Sequence, residues 1–186
     1  MRARRGSLVG LGVALAVMLV ACGSDGPDQV DSVEWRNIEF DLPDGWYRFE
    51  ETDTRLSVAN QPIGTEADLE QLDEDDDTVA MFLTFEPDTQ PDDWRTFAEQ
   101  QDATIETDDQ LILGEDIPAT RLVFSYESDG SPTREMVVLI PSRRVVVLAQ
   151  PVPGPGDEDA PEVFLEHLDT FMEMLDTFEL GAPVLE

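Results

Sequence analysis

The chain has 186 residues, of which 42 are acidic and 11 are basic, and its formal net charge at pH 7 is −31. Such an acidic protein is poorly suited to nucleic acids, because affinity for them depends on cations that neutralise phosphates. It is equally unsuited to lying flat on an anionic bilayer, which attracts polybasic surfaces. The composition therefore argues against nucleic acid as a partner and against direct adsorption to a membrane.

The first 21 residues have the organisation of a secretory signal peptide. Three arginines precede an apolar run over residues 8–20, which is shorter than the roughly 20 residues that a membrane-spanning helix needs. The run ends in the sequence Leu-Val-Ala-Cys, whose cysteine is Cys22. This sequence resembles the lipobox of bacterial lipoproteins. The resemblance implies cleavage before Cys22 and a diacylglycerol on its thiol.

Cys22 is the only cysteine, so the chain cannot form an intramolecular disulfide bond. Two or more acyl chains hold a protein stably on a membrane, whereas one chain does so only marginally. We therefore predict a protein anchored through Cys22 to the cell membrane, on its extracytoplasmic face. Residues 22–32 are rich in Gly, Asp and Pro and are predicted to form a flexible linker. Removal of residues 1–21 takes away three arginines and no acidic residue, which changes the net charge from −31 to −34.

Polar and apolar residues alternate over residues 36–42, which predicts a strand with one buried face. The Pro-Asp-Gly sequence at 43–45 predicts a turn, and residues 46–49 a returning strand. A weaker strand over 55–60, an acidic connection over 61–77 and a strong strand over 78–86 follow. Pro91 opens a short helix, in which Trp94, Phe97 and Ala98 form one apolar stripe.

An antiparallel series of strands follows this helix. A hairpin is predicted from 103–106 and 110–114, then a strand over 119–127 and an Asp-Gly turn. Strands over 134–140 and 144–150 contain continuous apolar runs, which predict burial on both faces of the sheet. The final helix is predicted over 161–178. Its core-facing stripe comprises Phe164, Leu168, Phe171, Leu175 and Phe178.

The order of strands, helix, strands and helix predicts an α+β domain, in which a mainly antiparallel sheet lies between helices as an α/β/α sandwich. Four segments of the sequence resemble segments of the PsbP-like domains and occur in the same order along the chain. They are residues 38–46, 91–98, 117–122 and 177–178. That family includes bacterial lipoproteins of the DcrB and LpqN kind. The resemblance assigns residues 33–182 to such a domain and implies binding or assembly, with no common catalytic residues.

The acidic run at 73–77 is the one candidate for a metal site. Asp73, Asp75 and Asp77 match positions 1, 3 and 5 of an EF-hand loop, but Thr78 and Thr84 stand where that loop needs Gly and Glu. The calcium motif therefore fails. A loose surface site at the three aspartates remains a weak alternative to a solvated acidic loop.

No catalytic constellation is evident in the sequence. His167 is the only histidine, and no Gly-x-Ser-x-Gly or phosphate-binding pattern accompanies it. We therefore predict that the protein is not an enzyme and needs no cofactor. Arg143 and Arg144 form an adjacent basic pair at a predicted hairpin tip, which is either a solvated turn or a contact for a phosphate head group or an acidic partner.

These patterns lead to two functional hypotheses. The first is a lipid-anchored extracytoplasmic binding or accessory protein of the bacterial cell envelope, which acts on an unknown envelope protein through interaction or assembly. The second is a carrier of a lipid or another apolar ligand, held between the sheet and a helix. The aromatic residues on both predicted helices motivate the carrier hypothesis.

Overall fold

The computed structural model describes residues 30–64, 77–114, 116–128, 130–152 and 159–181. The predicted signal peptide, Cys22 and most of the linker predicted over 22–32 lie outside these residues. The described elements are ten strands and two helices: β1 (Ser32–Trp35), β2 (Ile38–Asp41), β3 (Tyr47–Glu51), β4 (Arg55–Ala59), β5 (Val79–Phe85), α1 (Pro91–Gln100), β6 (Thr104–Leu113), β7 (Ile117–Ser128), β8 (Ser131–Ile140), β9 (Val145–Pro151), α2 (Ala160–Asp176) and β10 (Glu179–Leu180).

The strands form two antiparallel sheets. The larger sheet has seven strands in the order β3-β4-β5-β9-β8-β7-β6, and the smaller has three in the order β1-β2-β10. Every pairing between the described strands is antiparallel. The predicted α+β class and antiparallel sheet are therefore confirmed.

Each helix packs against a different face of the seven-stranded sheet. Phe164, Phe171 and Leu175 of α2 are fully buried in the larger core cluster, together with one face of strands β5, β8 and β9. Residues of α1 pack against the opposite face, which is formed by β7, β8 and β9. Because both faces are covered, the apolar runs of β8 and β9 are buried on both sides, as their sequences predicted.

The strand predicted over 36–42 belongs to a different hairpin from the expected one. Arg36 and Asn37 both have positive φ values, 49° and 60°, and form the tight turn between β1 and β2. Strand β3 pairs with β4 in the larger sheet and does not return along β2. The strand predicted over 46–49 is therefore present as β3, but the expectation that it returns along β2 was wrong, because residues 43–46 link the two sheets.

The hairpin predicted from 103–106 and 110–114 is also wrong. Residues Thr104–Leu113 form one continuous strand, β6, which pairs with β7 along its whole length. A register shift between Ile105 and Thr107 is the one irregularity in this pairing. The polar residues in the middle of β6 are held by arginines from elsewhere in the fold: Arg95 binds Asp108, and Arg121 binds Asp109.

Helix α2 ends at Asp176, two residues before the predicted end, yet Phe178 still packs in the core. Its ring stacks on that of Phe40, with 4.8 Å between the centroids. Thr177 caps the junction, because its Oγ1 accepts a hydrogen bond from the backbone N–H of Asp41 at 3.0 Å. The short strand β10 then pairs with β2, which fixes the end of the described chain to its beginning.

Candidate functional site

A cavity of about 420 Å³ lies between α1 and the seven-stranded sheet. We call it the α1 pocket. It opens beside the first turns of α1 and is lined by residues from β5–α1, α1, β7, β8 and β9. These residues are Glu86, Thr89, Asp93, Trp94, Phe97, Tyr126, Glu135 and Leu148. A cavity of this size suits a small organic molecule, since ligand pockets in proteins span about 300–1,000 Å³.

The local sequence builds one wall of the pocket from aromatic rings. Pro91 is the first residue of α1, and Asp93 in the first turn accepts a hydrogen bond from the N–H of Gln90 at 2.7 Å. Trp94 and Phe97 are three residues apart, so they share one helix face. Their rings meet edge to face, with 5.6 Å between the centroids, and Phe97 lies 6.2 Å from the ring of Tyr126. This arrangement is fixed by packing before any ligand arrives.

An ion pair holds α1 in place against the edge strand. The guanidinium of Arg95 donates two hydrogen bonds to the carboxylate of Asp108 on β6, both at 2.7 Å, and a third to Asp92 at 2.7 Å. Arg95 holds the pKa of Asp108 below its usual range, because it donates hydrogen bonds to the ionised carboxylate. The two hydrogen bonds from Arg95 to Asp108 form a bidentate contact, which fixes the relative orientation of the two side chains. It fixes the helix that carries Trp94 and Phe97.

The polar floor of the pocket is Glu135, which is only 8% exposed. It lies on β8 on the same face as Val137 and Leu139, which pack beneath α1. Its Oε1 accepts a hydrogen bond from the hydroxyl of Tyr126 at 2.8 Å. Burial raises the pKa of Glu135, and the Tyr126 hydrogen bond opposes that rise. Burial and the neighbouring Glu135 carboxylate raise the pKa of Tyr126 in turn. A buried acid with a shifted pKa is the kind of group that is found at binding sites.

Glu135 is expected to make stability depend on pH. A carboxyl group whose pKa is higher in the folded state than in the unfolded state binds more protons when the protein is folded. Its burial therefore destabilises the folded state least at pH values below the unfolded pKa. The folded state then loses stability as the pH rises from that value through the raised pKa. We expect Glu135→Gln to be more stable than the wild type at pH 7, by an amount that shrinks towards pH 4, because glutamine still accepts from Tyr126.

Urea denaturation of both proteins at pH 4 and pH 7 measures this difference. Glu127→Gln, which alters an exposed carboxylate on β7, is the matched control and should leave the pH dependence unchanged. An equal effect of Glu135→Gln at the two pH values would contradict the raised pKa.

A second cavity, of about 430 Å³, lies where β2 meets the end of α2. Four of its lining residues are acidic: Glu39, Asp41, Asp176 and Glu179. Within the described ranges, no group of three His, Cys, Asp or Glu side chains is placed to hold a metal ion. Acidic side chains alone do not make this cleft a binding site.

Some of the residues considered for metal binding, lipidation or catalysis lie outside the described residues, and the others do not line the α1 pocket. Asp73 and Asp75 lie outside the described residues, as does Cys22, while Asp77 is exposed and its backbone carbonyl accepts a hydrogen bond from the side chain of Asn60 at 2.9 Å. The metal and lipidation predictions therefore stay predictions. His167 is half-buried on α2, on the opposite face of the sheet from the α1 pocket.

Arg143 and Arg144, the basic pair at the β8–β9 turn, have different roles. Arg143 donates from Nη2 to the carbonyl oxygen of Gly181 at 2.5 Å, so it ties the turn to the end of β10. Arg144 is exposed and has a positive φ of 56° in the turn. Arg143 thus supports the fold, which leaves Arg144 as the accessible cation of the pair.

The sequence prediction missed Tyr126 and Glu135 as a site. Glu135 has the same strand parity as Val137 and Leu139, so it is the one acidic residue on the face of β8 that packs beneath α1. The position of this acidic residue on a buried face was the feature of the sequence from which the site could have been predicted.

Neither the protein-family models nor the curated proteins give a match to this chain. Among the described residues, no helix is both long enough and apolar enough to cross a membrane.

Proposed function

We propose that this protein is a lipid-anchored, non-catalytic binding protein on the extracytoplasmic face of a bacterial membrane, and that it binds a small, largely apolar ligand in the α1 pocket. The observation that carries the proposal is the pocket itself, with its three aromatic residues and one buried carboxyl group. The lipobox-like sequence ending at Cys22 supports the anchor. A net charge near −34 would keep the domain away from an anionic membrane surface. The domain would therefore meet its ligand within the distance that the linker at residues 22–32 can span.

We also propose that residues 33–182 adopt the PsbP-like fold. The proposal is supported by the antiparallel seven-stranded sheet with one helix on each face and by the ordered sequence motifs. Two of those motifs, at 38–46 and 177–178, meet through the Phe40–Phe178 ring contact and the hydrogen bond from the Asp41 N–H to Thr177 Oγ1. Members of that family generally bind or assemble, which agrees with a non-catalytic role.

A second candidate is the accessory role with an envelope protein as partner. Strand β6 is the outermost strand of the larger sheet, and in the described part of the chain its outer edge is not paired. Ile105 and Ile112 on this strand are 39% and 57% exposed. An extended segment of a partner protein could add to such an edge. The acidic residues of β6 oppose association with other acidic strands.

Native mass spectrometry of the protein extracted from its membrane in mild detergent tests the main proposal. We expect the wild type to keep a non-covalent small molecule, and the denatured chain to start at Cys22 with an added acyl mass. The Trp94→Ala variant lacks the largest aromatic side chain that lines the pocket and should lose the small molecule. The Leu165→Ala variant, which is changed at an exposed site on α2, should keep it. Wild-type protein that is empty would contradict ligand binding, and an unmodified Cys22 would contradict the anchor.

A further inference from the structure

We propose that the α1 pocket selects an organic cation, an amine or quaternary ammonium group attached to an apolar body. The inference rests on the proposed function, since it names the chemical class of the ligand held in that pocket. It comes from the charge and the ring geometry of the lining.

Three carboxylates line the pocket, and no arginine is among its described lining residues. Glu86 directly follows β5, Asp93 lies in the first turn of α1, and Glu135 lies on β8, so three separate segments bring negative charge to one cavity. In the part of the chain that the structure describes, none of the three is paired with an arginine. The pocket is therefore complementary to a positive ligand and repels an anion.

Each carboxylate is held in position but keeps capacity for a ligand. Glu86 accepts a hydrogen bond from Thr89 Oγ1 at 2.7 Å, and Asp93 and Glu135 each accept one from the protein. An ionised carboxylate has about four lone-pair sites, so one hydrogen bond leaves most of its acceptor capacity unused. These side chains are oriented before binding and need not be reorganised by a cation.

The aromatic wall supplies the other half of the recognition. Trp94, Phe97 and Tyr126 present rings to the same cavity that the carboxylates line. The faces of such rings attract ammonium groups, and tryptophan does so most strongly. Rings and carboxylates together favour an organic cation over a hydrated metal ion, which gains nothing from an apolar wall. A neutral apolar ligand would bring no positive charge to the buried Glu135, whose hydrogen bond comes from the neutral hydroxyl of Tyr126.

A matched pair of probes tests the charge preference directly. Choline and 3,3-dimethyl-1-butanol have nearly the same shape, but carbon replaces the charged nitrogen in the alcohol. We would titrate each into the ¹⁵N-labelled, detergent-extracted full-length lipoprotein and follow the indole N–H signals of its three tryptophans. We expect choline to shift the Trp94 signal, leave Trp35 and Trp46 unchanged, and bind at least about tenfold more tightly than the alcohol.

A variant pair separates the role of Glu135 from general acidity. Glu135→Gln should weaken choline binding about tenfold and leave the alcohol unaffected, whereas Glu127→Gln should change neither. Equal affinity for the two probes, or an unperturbed Trp94 signal with both, would overturn the cation proposal. The native mass spectrum of untreated protein tests ligand binding separately, so a pocket that retains a neutral molecule would overturn only the ligand class.

Discussion

Truncation of Phe171 to alanine is expected to lower the free energy of unfolding by about 4 kcal/mol, because it leaves a cavity in a packed core. Phe171 is fully buried beneath the sheet. Its ring stacks on Phe164 with 5.9 Å between the centroids, and it meets Trp46 edge to face at 5.7 Å. It therefore joins α2 to the segment that links the two sheets, and its loss removes contacts from both.

The control for Phe171→Ala lies on the same helix. Leu165 is 49% exposed, so Leu165→Ala is expected to change the free energy of unfolding by about 0.5 kcal/mol or less. Urea denaturation followed by tryptophan fluorescence measures both variants. Similar losses in the two variants would contradict the packing of α2 against the sheet through the Phe164–Phe171 face.

The second large effect is expected at Gly114, at the end of β6. Gly114 has a φ of +52°, and a Cβ added there would overlap the backbone carbonyl oxygen of Phe178. Alanine would therefore meet two costs, the left-handed backbone conformation and a clash with main chain that cannot rotate away. We expect Gly114→Ala to lower the free energy of unfolding by about 3 kcal/mol or more.

Gly45 separates these two costs. It also has a positive φ, +84°, but a Cβ there would meet no atom within 4 Å. Gly45→Ala should thus cost about 1–2 kcal/mol, the conformational part alone. Thermal unfolding of the two variants gives the comparison. If Gly114→Ala were no more destabilising than Gly45→Ala, the close approach of β6 to the end of α2 would be wrong.

Periodic apolar patterns accounted for the parts of the fold that bury the most surface. In the predicted stripe of α2, Phe164, Phe171 and Leu175 are fully buried, and Leu168 is partly buried against the same core. The continuous apolar runs of β8 and β9 predicted that both faces of the sheet are covered. These features succeed because local periodicity reports directly which side of an element is buried.

The failures come from interactions between distant residues. Residues Thr107, Asp108 and Asp109 suggested a turn, yet they continue β6, because Arg95 and Arg121 bind the two aspartates across 13 and 12 positions of sequence. Likewise, strand β2 pairs with β10 from the end of the described chain, far away in sequence. Such partners cannot be read from local composition.

The α1 pocket was predictable only in part. The sequence placed Trp94 and Phe97 on one helix face and suggested that an apolar ligand might lie between sheet and helix. The sequence did not identify Glu135 as the polar floor of the pocket, because one glutamate does not stand out among 42 acidic residues. The structure adds the 2.8 Å contact between Tyr126 and Glu135 and the cavity around it. The site thus depends on the pairing of β7 with β8, which makes these two side chains diagonal neighbours across the two strands.

Ligand binding in the α1 pocket is tested most directly by an experimental structure of the protein purified from the cells that naturally make it, without added ligand. We expect a bound small molecule between Trp94 and Glu135, with a positively charged group within hydrogen-bond distance or ring contact of those side chains. A cavity that is filled by the protein's own side chains, or that holds only water, would contradict the proposed function.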